Sequence, residues 1–121
     1  LNVVCEGQGV GSAVLIRALR PLKGHPLMAR RRGRRLGLCN GPGKLTQALG
    51  VDLAKDGYAL TGGDLTVSGG GPPDGGIVAT TRVGITRGAQ LPWRYLVLGE
   101  ANVSVPPKRL EGRRLRNSWK R

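Results

Sequence analysis

The chain has 121 residues, which is enough for one domain with a modest hydrophobic core. Twenty lysines and arginines against seven acidic residues give a net charge of +13, and there are only two cysteines. Cys5 and Cys39 form no CxxC pair and have no histidine at metal-ligand spacing, which argues against zinc, and no apolar run is long enough for a membrane span.

Strand and helix patterns alternate along the first half of the chain. We predict a short strand at residues 1–5 and a buried strand at 12–22 that ends at Pro21. Residues 26–35 are predicted to form a short basic helix that begins at its proline. In LGLCNGPGKLTQALGV, residues 36–51, a tight turn at Gly41, Pro42 and Gly43 leads into a helix with apolar residues at helical spacing.

The second half is predicted to contain mainly short strands. A turn or very short strand is expected at 57–60, an exposed loop at GGGPPDGG, and strands at 64–68, 77–85, 95–98 and 101–105. The charged tail 107–121 has no apolar face and is predicted to be disordered. The predicted fold class is therefore α/β of the mixed α+β kind. It is one domain over residues 1–106, mainly antiparallel, with a few short helices and incomplete at its N-terminal side.

The positive charge is concentrated in a window without acidic residues, between Glu6 and Asp52. The nine basic residues of this window are Arg17, Arg20, Lys23, Arg30, Arg31, Arg32, Arg34, Arg35 and Lys44. This uneven distribution of positive charge along the chain favours a polyanionic partner. The compositional bias of GC-rich genomes is an alternative source of arginine, but it does not explain the acid-free window.

Two other classes of basic protein fit the sequence less well. A ribosome-associated protein would usually place its basic residues in long extensions, whereas here they alternate with ordinary core strands. An RNA-stacking sheet needs aromatic side chains, which make up only 3% of this chain.

Lys44 is predicted to lie at the start of the second helix. A helix N-terminus presents unpaired N–H groups and a partial positive charge, and a lysine adds a full charge. The sequence therefore predicts a phosphate site at this turn. It is not a nucleotide P-loop, because the GxxxxGK[ST] spacing is absent.

Arg17 lies within the apolar segment VLIRALRP. Strand alternation would place it on the same face as Leu15 and Leu19, among core residues. Two interpretations stay open: an internal salt bridge, or a guanidinium that points into a pocket and orients a carboxylate or a water. His25, between glycine and proline, is predicted to be a surface loop residue.

Five segments occur together in an order that is typical of one family. Asn2, VLIRALRPL, LCNGPGKLTQALGV, TTRVGITRG and LPWRYLVLGEANVSV resemble, in that order, the C-terminal part of the alkyladenine (3-methyladenine) DNA glycosylases. The resemblance implies a monofunctional DNA repair hydrolase of base excision repair. Such an enzyme flips an alkylated or deaminated purine out of the duplex and hydrolyses its N-glycosidic bond with an activated water.

The resemblance also implies roles for individual residues. Arg17 matches the arginine that orients the catalytic glutamate and water, and the backbone carbonyl of Val83 matches the group that also holds that water. Asn2 matches the base-pocket asparagine. Gly41, Gly43 and Lys44 match the loop that binds a DNA phosphate. The alternative for Val83 is a valine in a core strand.

The family's general base and its intercalating tyrosine are not in this sequence. The glutamate lies in a VETEAY-type motif, and the tyrosine lies just before the position of Asn2. We therefore expect a fragment that is inactive alone. The second hypothesis is a non-catalytic DNA- or RNA-binding module. The resemblance implies double-stranded DNA with damaged purines as the partner, no membrane, a monomer in the bacterial cytoplasm at the nucleoid, and neither cofactor nor metal.

Overall fold

The computed structural model describes residues 1–106 and the strand Arg113–Arg114. It divides the chain into two compact units, Leu1–Leu60 and Thr61–Arg121. Each unit contains a small antiparallel sheet, which confirms the mixed α/β class but replaces the single predicted sheet by two. The rest of the predicted tail lies outside the described residues, so its disorder stays a prediction.

The first unit begins with a two-stranded sheet. Strand β1, Asn2–Val4, pairs antiparallel with β2, Ala13–Leu15, and Asn2 is opposite Leu15. The predicted buried strand 12–22 is thus wrong in length and in burial, since all three residues of β2 are exposed. The pairing ends with a bond from the N–H of Ile16 to the carbonyl of Leu1, because β1 offers no further partner.

Two eight-residue helices follow, α1 at His25–Arg32 and α2 at Pro42–Leu49, each with a proline in its first turn. The predicted helix 26–35 was too long, because Gly33 adopts a φ of 63° and ends α1. Gly50 ends α2 in the same way with a φ of 73°. A short 3-10 helix, Leu53–Lys55, follows α2, and a turn comes after it, as predicted for 57–60.

The core of the first unit lies where the two helices pack together. Its buried residues are Leu38, Cys39, Leu45 and Ala48. Leu45 and Ala48 are three residues apart on α2, so they lie on one face of that helix. Met28 and Ala29 contribute the matching face of α1.

Two arginines of α1 connect this helix to α2. Nη1 of Arg31 donates to the carbonyl oxygens of Ala48, at 3.2 Å, and of Leu49, at 2.8 Å. Nη1 of Arg32 donates to Oε1 of Gln47 at 2.6 Å. Arg31 thus satisfies backbone carbonyls at the C-terminal end of α2, where the helix dipole favours a cation, and Arg32 bonds to a side chain near the same end.

Cys39 and Cys5 differ in their exposure to solvent. Cys39 is 1% exposed and Cys5 is exposed, and both are free thiols. Burial raises the pKa of the Cys39 thiol because it penalises the thiolate, and the nearby Arg32 charge offsets this only in part. Its neutral form therefore stabilises the fold at and below neutral pH, and this contribution is lost as the pH rises through the raised pKa.

We expect a thiol reagent to modify Cys5 rapidly in the native protein and Cys39 only after unfolding, since the thiolate is the reactive form. Titration with a chromogenic disulfide should give one thiol in buffer and two in denaturant. Cys5→Ser is the control and should give none in buffer. A rapid reaction of the native Cys5→Ser protein would contradict the burial of Cys39.

The second unit is built on a three-stranded antiparallel sheet. Its strands are β3, Ile77–Thr80, β4, Arg94–Val97, and β5, Arg113–Arg114, in the order β4-β3-β5. In the central strand β3, Val78, Ala79 and Thr80 are all buried. The predicted strand at 95–98 is confirmed within one residue. Neither described helix has the length or the apolar composition that a bilayer crossing requires.

Three other strand predictions in this unit were wrong. Residues 64–68 form a bend and irregular chain rather than a strand, because no described strand pairs with them and glycines flank them. Strand 77–85 stops at Thr80, which is opposite the first residue of β4. Residues 101–105 form turns, where Oε1 of Glu100 accepts from both the backbone and the side-chain nitrogen of Asn102.

Candidate nucleic-acid interface

The start of α2 presents N–H groups that the helix itself does not use. Pro42 has no N–H, and the first bond of this turn runs from the N–H of Leu45 to the carbonyl of Gly41, at 2.9 Å. The N–H groups of Gly43 and Lys44 have no acceptor one turn back within the helix. No side chain caps this end. The arrangement can accept an anion, which is the geometry predicted for this turn.

The side chain of Lys44 folds back over the turn that precedes its helix. Its Nζ donates to Oδ1 of Asn40 at 3.0 Å, and the residue is exposed. Gly37 allows this arrangement: it has a φ of 61°, and a Cβ there would lie 3.1 Å from Nδ2 of Asn40. Sequence reasoning missed Asn40, although its spacing of four residues from Lys44 was a usable signal.

Backbone hydrogen bonds connect the segments of Asn2, Arg17 and the turn before α2. Asn2 pairs with Leu15, and two residues later comes Arg17. The N–H of Leu19 then donates to the carbonyl of Cys39 at 3.1 Å. The first unit therefore holds all the predicted site residues except Val83.

Arg17 lies outside the strand and is exposed, which corrects its predicted place among core residues. Within the described part of the chain its guanidinium makes no hydrogen bond and no ion pair. The internal salt bridge that was one interpretation is thus not formed there. The five guanidinium N–H groups remain available to a ligand.

Val83 lies in the second unit, in a bend that follows β3. It is 51% exposed, so the alternative of a core strand valine is wrong. Across residues 1–106 nothing donates to its backbone carbonyl. Such an exposed and unpaired carbonyl can accept a hydrogen bond from water.

His25 is exposed, as predicted, but it is the first residue of α1 rather than a loop residue. Pro26 and the glycine with a φ of 76° before His25 start the helix at this point. With Arg30, Arg34 and Arg35, it gives one side of α1 a strongly basic surface.

Comparisons with known proteins identify similar chains. A sequence model described as methylpurine-DNA glycosylase matches residues 1–101. A candidate 3-methyladenine DNA glycosylase of Rubrobacter xylanophilus is 65% identical over 120 residues, 98% of this chain and 63% of that protein. Proteins with the same name from Rhodopseudomonas palustris (strain BisB18) and Methanoculleus marisnigri are 51% and 49% identical, over 88% and 86% of this chain and 54% and 57% of theirs. The chain thus spans about half to somewhat under two thirds of the length of these relatives.

Proposed function

The chain belongs to the methylpurine-DNA glycosylase family, and from this premise we propose that it forms part of a monofunctional DNA glycosylase acting on alkylated or deaminated purines. The observation that carries the proposal is the family match over residues 1–101. The target carbon is inaccessible in stacked DNA, so the purine must first be flipped out. Damaged bases cost less to unstack, which contributes to selectivity.

In the proposed reaction, water attacks the sugar carbon as the purine leaves. Positive charge on an alkylated purine makes it a better leaving group, so the protein mainly positions the water and stabilises charge. We assign the orientation of the water and of the family's glutamate to Arg17, and a second hydrogen bond to the carbonyl of Val83. The uncommitted guanidinium of Arg17 supports its role, and the role of the Val83 carbonyl rests on the family resemblance.

Asn2 is proposed to contact the flipped base. It is exposed on β1, and its side-chain amide makes no hydrogen bond within residues 1–106. An amide offers both a donor and an acceptor, so it can distinguish purines by the groups on their edges. A buried polar contact of this kind penalises a base that leaves the amide unpaired.

Gly41, Gly43 and Lys44 are proposed to bind a DNA phosphate. The free N–H groups at the start of α2 point toward the anion, and Lys44 adds a full positive charge. Gly43 has no heavy atom within 4 Å of where its Cβ would lie, so the backbone is open to a close approach. The hydrogen bond from Lys44 to Asn40 keeps the lysine beside this turn.

The test is release of 3-methyladenine or hypoxanthine from duplex DNA by two proteins. One is this chain alone. The other is a chimera that joins to this chain the part of the Rubrobacter relative that the chain does not match. We expect release by the chimera and none by the chain alone. Release by the chain alone would show that another group supplies the base, and a folded but inactive chimera would contradict the proposed activity.

A second function, nucleic-acid binding without catalysis, is favoured by one observation. The sequence contains no VETEAY-type motif, so the 121 residues supply no glutamate in that context. The basic window between Glu6 and Asp52 would still bind phosphates. DNA binding by a chimera that releases no base would support this function.

Lys44→Ala is expected to weaken DNA binding equally at all sequences, because a phosphate contact carries no sequence information. The slope of log affinity against log salt should fall by about 0.9 for the one lost phosphate contact. Anisotropy titrations of labelled duplexes at several salt concentrations measure it. Lys44→Arg should retain the slope, and Lys55→Ala, which lies outside the acid-free window, is the lysine control. An unchanged slope for Lys44→Ala would show that the lysine contacts no phosphate.

A further inference from the structure

The five arginines of residues 30–35 form two groups, those whose side chains bond to α2 and those whose side chains do not. Arg31 and Arg32 donate hydrogen bonds to α2, as described above. The guanidinium groups of Arg30, Arg34 and Arg35 make no hydrogen bond and no ion pair within the described residues. Packing of the two helices therefore accounts for only two of the five arginines.

The uncommitted arginines share one concave surface. The concavity has a volume of about 630 Å³ and is open to solvent. It is lined by His25, Pro26, Ala29, Arg30, Gly33, Arg34 and Arg35. The concavity is an open surface depression, and the three arginines among its lining residues favour an anion as the ligand.

Among the described residues, no carboxylate forms an ion pair with these three arginines. The sequence has no acidic residue between Glu6 and Asp52, so none lies near in sequence. Like charges around one concavity repel each other, and an anion that binds there relieves the repulsion. Guanidinium groups form paired hydrogen bonds with phosphate oxygens, so the best-matched anion is a phosphate.

We propose that this concavity of α1 is a second DNA phosphate-binding site, separate from the turn at Lys44. The identity of the polyanion rests on the proposed function. Arg30 lies on α1 and Arg34 and Arg35 follow it, whereas the Lys44 turn begins α2, so the first unit would contact the DNA backbone at two separate places. A protein with two such contacts is positioned on the duplex in one orientation without reading its sequence.

The test compares the double variant Arg34→Gln and Arg35→Gln with the control Lys55→Gln and Arg87→Gln in the 121-residue protein. Both control residues lie outside the acid-free window. Both variants lose two charges. Arg34 and Arg35 lie after the end of α1, so their side chains can be changed without altering a helix. Circular dichroism and thermal unfolding establish that both variants retain the wild-type fold.

Affinity for a short undamaged duplex is measured between about 50 and 200 mM salt. Each lost phosphate contact reduces the slope of log affinity against log salt by ~0.9. We therefore expect the slope of the Arg34 and Arg35 variant to fall by ~1.8. The slope of the control should fall by less than half of that amount. Equal reductions in both variants, or none, would overturn the proposal.

Competition by inorganic pyrophosphate distinguishes a free anion from the DNA backbone. We expect pyrophosphate to reduce DNA binding by the wild type more than by the Arg34 and Arg35 variant. Pyrophosphate binding that is lost in this variant while its DNA salt slope stays at the wild-type value would assign the concavity to a small anion and overturn the DNA contact.

Base release is a separate measurement, so the two proposals fail separately. A chimera that excises 3-methyladenine while the Arg34 and Arg35 variant keeps the wild-type slope would overturn the second phosphate site alone. The expected fall in slope without any excision would overturn the glycosylase activity alone.

Discussion

Replacing Leu45 by alanine is expected to destabilise the first unit by about 2–5 kcal/mol, the usual cost of a large-to-small change in a packed core. Leu45 is 0% exposed and lies on α2 at the centre of the cluster formed with Leu38, Cys39 and Ala48. Alanine would remove apolar contacts and leave a cavity that the two short helices can only partly close. Because small domains are stable by only about 5–15 kcal/mol, the variant should unfold at a much lower urea concentration.

Two control variants show whether the destabilisation depends on the burial of Leu45 or would follow the loss of any leucine side chain. Leu53→Ala removes the same atoms from a side chain that is 91% exposed, and its effect should stay within about 0.5 kcal/mol. Leu45→Met conserves volume and should cost less than about 1.5 kcal/mol. Urea unfolding followed by circular dichroism gives all three values. A Leu45→Ala cost as small as that of Leu53→Ala would mean that the core lies elsewhere.

The helices could be predicted from the sequence because their signals are local. Pro26 and Pro42 mark the first turns, and the periodic apolar residues of 45–49 mark the buried face of α2. The end of α1 was missed although Gly33 was a visible stop signal. Sequence patterns thus gave the existence of both helices and left only the end of α1 uncertain.

Strand lengths could not be predicted, because a strand extends only as far as it has a partner. The apolar segment at 12–22 has the composition of a long buried strand, yet its pairing ends where β1 ends. The same holds for 77–85, since β4 pairs only with Ile77–Thr80. Partner length is a property of two distant segments, and neither segment shows it alone.

The candidate site also contains some features that the sequence predicts and others that it does not. Lys44 at a helix start was predictable from the GPGK sequence, because the turn and the charge are adjacent in the chain. The exposure of Arg17 was not predictable, since it depends on where the sheet stops. The division of the basic run into helix-connecting and solvent-facing arginines depends on how α1 packs against α2.

Arg17→Ala is expected to reduce the rate of base release by about 100-fold in the chimera with the Rubrobacter relative, the usual cost of losing one donor that stabilises a transition state. Affinity for lesion-containing DNA should fall much less, because the proposed role is to orient the water and the glutamate. Single-turnover rates and equilibrium titrations on the same duplex separate the two effects.

Two further variants make the Arg17 result specific. Arg17→Lys keeps the charge but loses the planar pair of donors, so it should restore affinity fully and the rate only in part. Arg87→Ala removes an exposed arginine from the second unit and should leave the rate near the wild-type value. Arg17 makes no ion pair within the described residues, so equal losses of rate and affinity in Arg17→Ala would identify it as a DNA contact. Its role in positioning the water would then be excluded.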